Sequence, residues 1–235
     1  MTVPGLLRSL VAHRDEAICL TVATGVMGAY WYLGSPGPAL ATGFERSWDA
    51  AVLAVLLAVA LFGVVPLLTS LSLKQSLKER GLGLGDLAFN IKISALAMAL
   101  IAVPMSFSSN DPSIQAAYPW PGAWAGESLP NLGQWLATYS LYYLAFEFFF
   151  RGFLIQAIAP RWGIPAAIWM SAIACTLIHL GKPWAETLSA FPVSLLFGVM
   201  AVRGRSILFP ALVHWWVGSI NDTSSLFWQD QLHIF

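Results

Sequence analysis

Four ionisable side chains stand in apolar surroundings where a charge is costly: Glu147, Arg151, His179 and His214. Glu147 and Arg151 are four apart in the run Phe146-Glu147-Phe148-Phe149-Phe150-Arg151-Gly152. That spacing puts both on one face of a helix, where they can pair. His179 comes just before Gly181-Lys182-Pro183, with Glu186 beyond, while His214 lies inside a later apolar run that Asn221 and Asp222 close. Each charge in hydrocarbon costs ~2.5–3.5 kcal/mol on insertion scales, so intramembrane charges are few and usually functional. A salt bridge alone would account for Glu147 and Arg151, and a single buried histidine is more often a hydrogen bond between helices. Two histidines at compatible depth beside a Glu–Arg pair point instead to chemistry.

The chemistry these residue types suit is hydrolysis. A carboxylate can take a proton from water as a general base, and imidazole N–H groups can stabilise an oxyanion growing on a carbonyl. The same trio, Glu147, His179 and His214, has the composition of a His₂Glu zinc site with an open position. Residue types alone leave the metal-free and the zinc readings both open.

The elements that must position these residues follow from composition. Of 235 residues, 57% are hydrophobic and 10% charged, against roughly 25% charged in a soluble domain. So few charges cannot cover a water-facing surface, and the mean hydropathy of +0.68 agrees. The expected fold is all-α, a polytopic transmembrane helix bundle within a lipid bilayer. Stretches near the ~20 apolar residues that a span needs lie at 17–33, 48–70, 87–107, 134–158, 164–180, 186–202 and 206–226. That makes about seven spans, or eight if the proline-rich 108–133 loop holds a re-entrant segment. Eleven tryptophans, many beside these runs, fit interfacial aromatic belts. Twelve basic and twelve acidic residues cancel, so net charge argues for no nucleic-acid partner. Cys19 and Cys175 both lie in apolar runs and are expected to be unpaired.

Positive charges set orientation. Arg8, Arg14, Lys74, Lys78, Arg80, Arg161, Arg203 and Arg205 fall in every second connection, which places the N-terminus in the cytoplasm and the C-terminus outside. Spans four and five form a hairpin at Arg161, with Glu147 14 residues before it and His179 18 after it. At ~1.5 Å per residue their heights are ~21 and ~27 Å above one membrane face, and His214 stands ~14 Å up the seventh span. All three can therefore meet at mid-bilayer or in its outer half.

At these residues the chain resembles the CPBP family of intramembrane proteases, the CAAX protease and bacteriocin-processing (Abi) family, over roughly residues 134–226. The family's Glu-doublet motif reads Phe146-Glu147-Phe148-Phe149-Phe150-Arg151-Gly152 here, its Phe-x-x-x-His motif has Cys175 before His179, and its third motif is His214 with Asn221 and Asp222 behind it. Phe146 stands where the first Glu is expected, and Gly218 where Asn would follow His214 by four residues. The resemblance implies an N-terminal helical part with a long extracytoplasmic loop over 1–133, a catalytic helical core over 134–226 and a tail over 227–235. It implies a multi-pass protein of the cell membrane acting as an endopeptidase on a membrane-anchored peptide or protein. In that reading Glu147 activates water with help from Glu186, His179 and His214 bind the oxyanion or a zinc ion, Arg151 fixes Glu147, and Asn221 or Asp222 orients His214. The alternative is a non-catalytic member of the family, serving bacteriocin self-immunity or as a partner subunit. A proton-coupled transporter ranks behind both, because no paired broken helices are evident.

Overall fold

Every apolar run of the sequence is helical, and the described residues contain no strand. The computed structural model describes residues 13–34 and 46–234; Arg8 lies outside them. Helix α1 covers Arg14–Leu33, α2 Trp48–Ser72, α3 Leu87–Ser108, and a short α4 Pro112–Ala117. Helix α5, Leu129–Glu147, runs through a wide π turn, Phe148–Leu154, into α6, Ile155–Leu177, followed by α7, Trp184–Gly204, and α8, Leu208–Trp228. By length and composition four stretches can cross a membrane: Trp48–Ser72, Leu87–Ser108, Leu129–Leu177 and Trp184–Gly204.

The starts of these helices are written locally. Ser47, Asp86, Asp111 and Ser128 each cap a helix by accepting from a backbone amide two or three residues on, which satisfies one of the otherwise orphaned N–H groups. Inside α2, a π turn over Val59–Val64 comes just before Pro66. A wider turn there relieves the clash that a proline ring makes with the preceding turn.

The 49-residue stretch Leu129–Leu177 is not one rod. Gly163, at φ 79° and ψ 160°, breaks the helix between Pro160 and Pro165, a conformation that glycine reaches without a Cβ penalty. The two arms then run back along each other: Ser171 Oγ donates to the Phe150 carbonyl at 2.8 Å, and Arg151 Nη1 meets Cys175 Sγ at 3.9 Å. The expected hairpin is present, with its apex at Gly163 rather than Arg161. Glu147 and His179 are thus each sixteen residues from the apex, which brings them level where the sequence reading left ~6 Å between them.

This hairpin is the core of the bundle. Its most apolar window is 83% buried, against 17% for that of α3. Leu53, Leu56 and Leu68 on α2, Leu96, Leu100 and Val103 on α3, and Leu188 and Val199 on α7 are exposed. Apolar faces of this size need a non-aqueous cover, as a helix in a bilayer has. Within the 108–133 loop, α4 and a 3₁₀ turn, Gly122–Gly126, pack Ile114, Tyr118, Trp120 and Ala125 into the core. Neither piece of the loop reaches span length, α4 having six residues and the 3₁₀ turn five. Arg46 ties it down by donating to the carbonyls of Gln115, Tyr118 and Pro119 at 2.8–3.1 Å.

Arg80 is not a free surface charge. It is buried, its Nη1 donates to the carbonyls of Phe153 at 2.7 Å and Gly152 at 3.3 Å, and its guanidinium lies over the Phe153 ring. Those carbonyls belong to the π turn that follows Glu147. Gly152 admits this approach, because a Cβ there would stand 2.6 Å from the Arg80 carbonyl oxygen. Arg80→Ala strips both carbonyls of a charged donor and is expected to lower stability by about 3 kcal/mol, read as a fall in unfolding temperature in detergent.

Across the connection between α2 and α3, Asp86 accepts from the Phe89 amide and from Arg203 at 3.0 Å. The amide first, and Arg203 second, hold its carboxyl below the ordinary Asp range. Because the folded value is depressed, the stabilisation is complete above the unfolded value near ~3.9 and disappears as pH falls through the folded one. The difference in unfolding temperature between the parent and Asp86→Asn should therefore be constant above pH ~5 and vanish in acid; a constant difference down to pH ~2 would contradict it.

Candidate active site

Glu147, the last residue of α5, has no exposed surface, and Arg151 keeps 3% of its own. Glu147 Oε2 and Arg151 Nε are 3.1 Å apart, an ion pair lying off the straight geometry of a hydrogen bond. Arg151 Nη2 donates to Ser194 Oγ on α7 at 2.8 Å, and its guanidinium lies between the rings of Phe150 and Phe197. The other carboxylate oxygen, Oε1, is 2.7 Å from His214 Nδ1 on α8. A carboxylate here can only accept, so Nδ1 carries the proton and Nε2 is left with its lone pair.

His179 sits in the turn just after α6, its Nδ1 2.7 Å from the Cys175 carbonyl. That carbonyl also can only accept, so His179 has the same tautomer, with Nε2 unprotonated. Its Nε2 lies 3.9 Å from Glu186 Oε1 on α7, beyond hydrogen-bond range. Glu186 is held by the Tyr118 hydroxyl, at 2.8 and 2.9 Å from its two oxygens, and by Lys182 Nζ at 2.7 Å. The Phe146 ring is edge-on to both imidazoles, 5.3 Å from His214 and 6.0 Å from His179.

Both histidines, Glu186, Lys182, Tyr118, Tyr143, Phe146 and Asn221 line one cavity of about 360 Å³, walled by α3, α5, α7 and α8. Glu147 and Arg151 do not line it. Of the residues singled out in the sequence, His179, His214 and Glu186 come together at the cavity, and Glu147 with Arg151 stands one layer behind His214. Neither Asn221 nor Asp222 touches His214. Asn221 accepts from Ser109 Oγ at 3.1 Å, and Asp222 accepts from Trp135 Nε1 at 2.7 Å. Two helical turns of separation carry them away from the imidazole.

A zinc ion does not fit the expected donors. Glu147 Oε1 bonds His214 directly, and among the described residues no three His, Cys, Asp or Glu side chains are grouped to hold a metal.

Residues 128–220 match a family model, that of the Type II CAAX prenyl endopeptidase Rce1-like family. The match is consistent with a CPBP-family intramembrane protease. No curated protein and no solved structure matches the chain. The Rce1-like segment opens at Ser128, the cap of α5, and ends within α8. It contains Glu147, Arg151, His179, Glu186 and His214 and stops one residue short of Asn221.

Sequence reasoning missed Tyr118, Tyr143 and Lys182 as cavity residues. Tyr118 comes from a loop 68 positions before its partner Glu186, so no local spacing marks it. Lys182 and Glu186 are four apart, a signal that was available. Glu147→Ala strands the Arg151 cation in the core and is expected to destabilise by about 3–5 kcal/mol. The double variant Glu147→Ala/Arg151→Met should recover most of that loss in a thermal unfolding assay, which it would not do if the pair were incidental.

Proposed function

We propose that this chain is a multi-pass endopeptidase of the cell membrane that hydrolyses a peptide bond of a membrane-anchored protein or peptide. The observation that carries the reading is the Glu147–His214 pair, a carboxylate holding Nδ1–H of an imidazole whose ring lines the cavity beside His179. Its place inside a segment matching a CAAX prenyl endopeptidase family supplies the reaction class. Glu147 then acts on water through His214 rather than by touching it. A carboxylate in this position fixes the tautomer and stabilises the imidazolium that forms.

His214 Nε2 takes a proton from water as the water oxygen bonds to the scissile carbonyl carbon. The carbonyl π pair moves to oxygen as an oxyanion. When that intermediate collapses, the C–N bond breaks and the departing nitrogen receives the proton from His214, leaving a carboxylic acid and an amine. His179, locked by the Cys175 carbonyl, offers a second Nε2 acceptor that positions the water. Glu186, Lys182 and Tyr118 form the polar end of a cavity otherwise walled by side chains such as Ile101, Val193 and Phe197, which suits an apolar or lipid-modified segment.

The test uses the full chain in liposomes with a fluorogenic prenylated CAAX peptide. The parent should cleave it with a rate that rises with pH on one ionisation, while Glu147→Gln and His214→Ala lose about 10²–10⁴-fold in kcat. Undiminished turnover in both variants overturns this mechanism. A folded parent that binds the peptide without cleaving it is instead the non-catalytic relative.

A further inference from the structure

Gly218 follows His214 by one helical turn on α8, where the family pattern would place Asn. A Cβ built on it would stand 1.9 Å from the Tyr143 hydroxyl and 2.5 Å from Cζ of the same ring. The phenol of Tyr143 thus fills the position from which a side chain at 218 would grow. Tyr143 belongs to α5, one turn before Glu147, and its ring packs on His214 with centroids 4.5 Å apart. Tyr143 itself lines the cavity. Its neighbours Tyr30 and Tyr142 pair their hydroxyls with each other at 3.1 Å, and Tyr118 is spent on Glu186. The Tyr139 hydroxyl is near enough to donate to that of Tyr143, their rings 4.6 Å apart between centroids; as the acceptor of that bond the Tyr143 phenol keeps its own O–H to give.

We propose that Tyr143 is a catalytic residue of this site, its O–H donating to the carbonyl oxygen of the scissile bond as that oxygen becomes an oxyanion. The proposal rests on the endopeptidase reading and completes it. Both imidazoles hold their only neutral-state N–H against the protein, on Glu147 and on the Cys175 carbonyl, so neither can donate to the oxyanion before His214 is protonated. A neutral donor one ring away from His214 supplies what they lack. No proton need leave the phenol: the hydrogen bond shortens as charge builds on the substrate oxygen and relaxes when the C–N bond breaks. Gly218 is then glycine because the donor occupies its side-chain space.

The experiment compares the parent, Tyr143→Phe, Gly218→Ala and Glu147→Gln in liposomes on the fluorogenic prenylated CAAX peptide, with a peptide aldehyde of the same sequence as inhibitor. Tyr143→Phe keeps the ring and is expected to unfold at the parent temperature, to lose about 10²–10³-fold in kcat, and to leave KM within about twofold. The hydrated aldehyde, which presents a tetrahedral centre, should lose affinity by the same factor as kcat/KM, a change that a merely structural tyrosine would not produce. Gly218→Ala, which pushes the hydroxyl aside, should lose at least as much. Parental kcat and aldehyde affinity in Tyr143→Phe, with Glu147→Gln inactive, would overturn the role of Tyr143 and leave the endopeptidase standing. Absence of cleavage by the parent would remove both.

Discussion

A carboxylate with no exposed surface at the centre of an apolar bundle is the constraint around which the rest is arranged. Glu147 would be untenable alone: an ion buried without a partner costs several kcal/mol even after relaxation. Arg151 takes one oxygen and His214 the other, so three elements converge on two atoms. The π turn that follows Glu147 keeps Arg151 on the same side while turning Phe149, Phe150 and Phe153 against the ring of Phe62 and its neighbours. Arg80 and Gly152 then lock that turn from the side of the α2–α3 connection. Disturbing any of these moves the carboxylate, and with it the imidazole.

The polarity of the bundle follows the same logic inverted. Buried charged and amide side chains such as Arg80, Glu147, Arg151, Asn221 and Asp222 find partners inside, and leucines and valines of α2, α3 and α7 cover the outside. Between helices the close approaches are made by glycine and small polar groups. Gly204 lets Asn90 reach its carbonyl at 3.0 Å, and a Cβ there would collide with the Asn90 amide at 1.9 Å. Where lipid supplies no hydrophobic drive between helices, such close packing and hydrogen bonding are what associate them.

Much of this was legible in the sequence because its signals are local. Apolar runs of span length gave the helices, the turn around Arg161 gave the hairpin to within two residues of its apex, and the four-residue spacing of Glu147 and Arg151 gave their pairing. A meeting of Glu147, His179 and His214 was expected, though from heights up to ~13 Å apart. Their division of labour was not, because which atoms face a cavity depends on helix rotation, and no spacing within one helix reports the rotation of another. Asn221 and Asp222 were expected behind His214 on the strength of a shared helix face, yet α3 and α5 offer them Ser109 and Trp135 instead. Tyr143 lay unnoticed among the tyrosines of α5 because the feature that marks it, its fit against Gly218, joins positions 75 residues apart.

Phe146, where the resembled family pattern has the first Glu of its doublet, is the departure with the largest physical consequence. Two adjacent carboxylates at this depth would need two cations, and the described residues around Glu147 offer only the guanidinium of Arg151. With phenylalanine in that place the inner pair is neutral, as is the Lys182–Glu186 pair at the cavity's other end. The Phe146 ring stands edge-on to both imidazoles, so neither histidine meets a second carboxylate from this position. In the proposed mechanism, an apolar ring in place of the carboxylate at 146 and a histidine base supported by Glu147 are two sides of one electrostatic change.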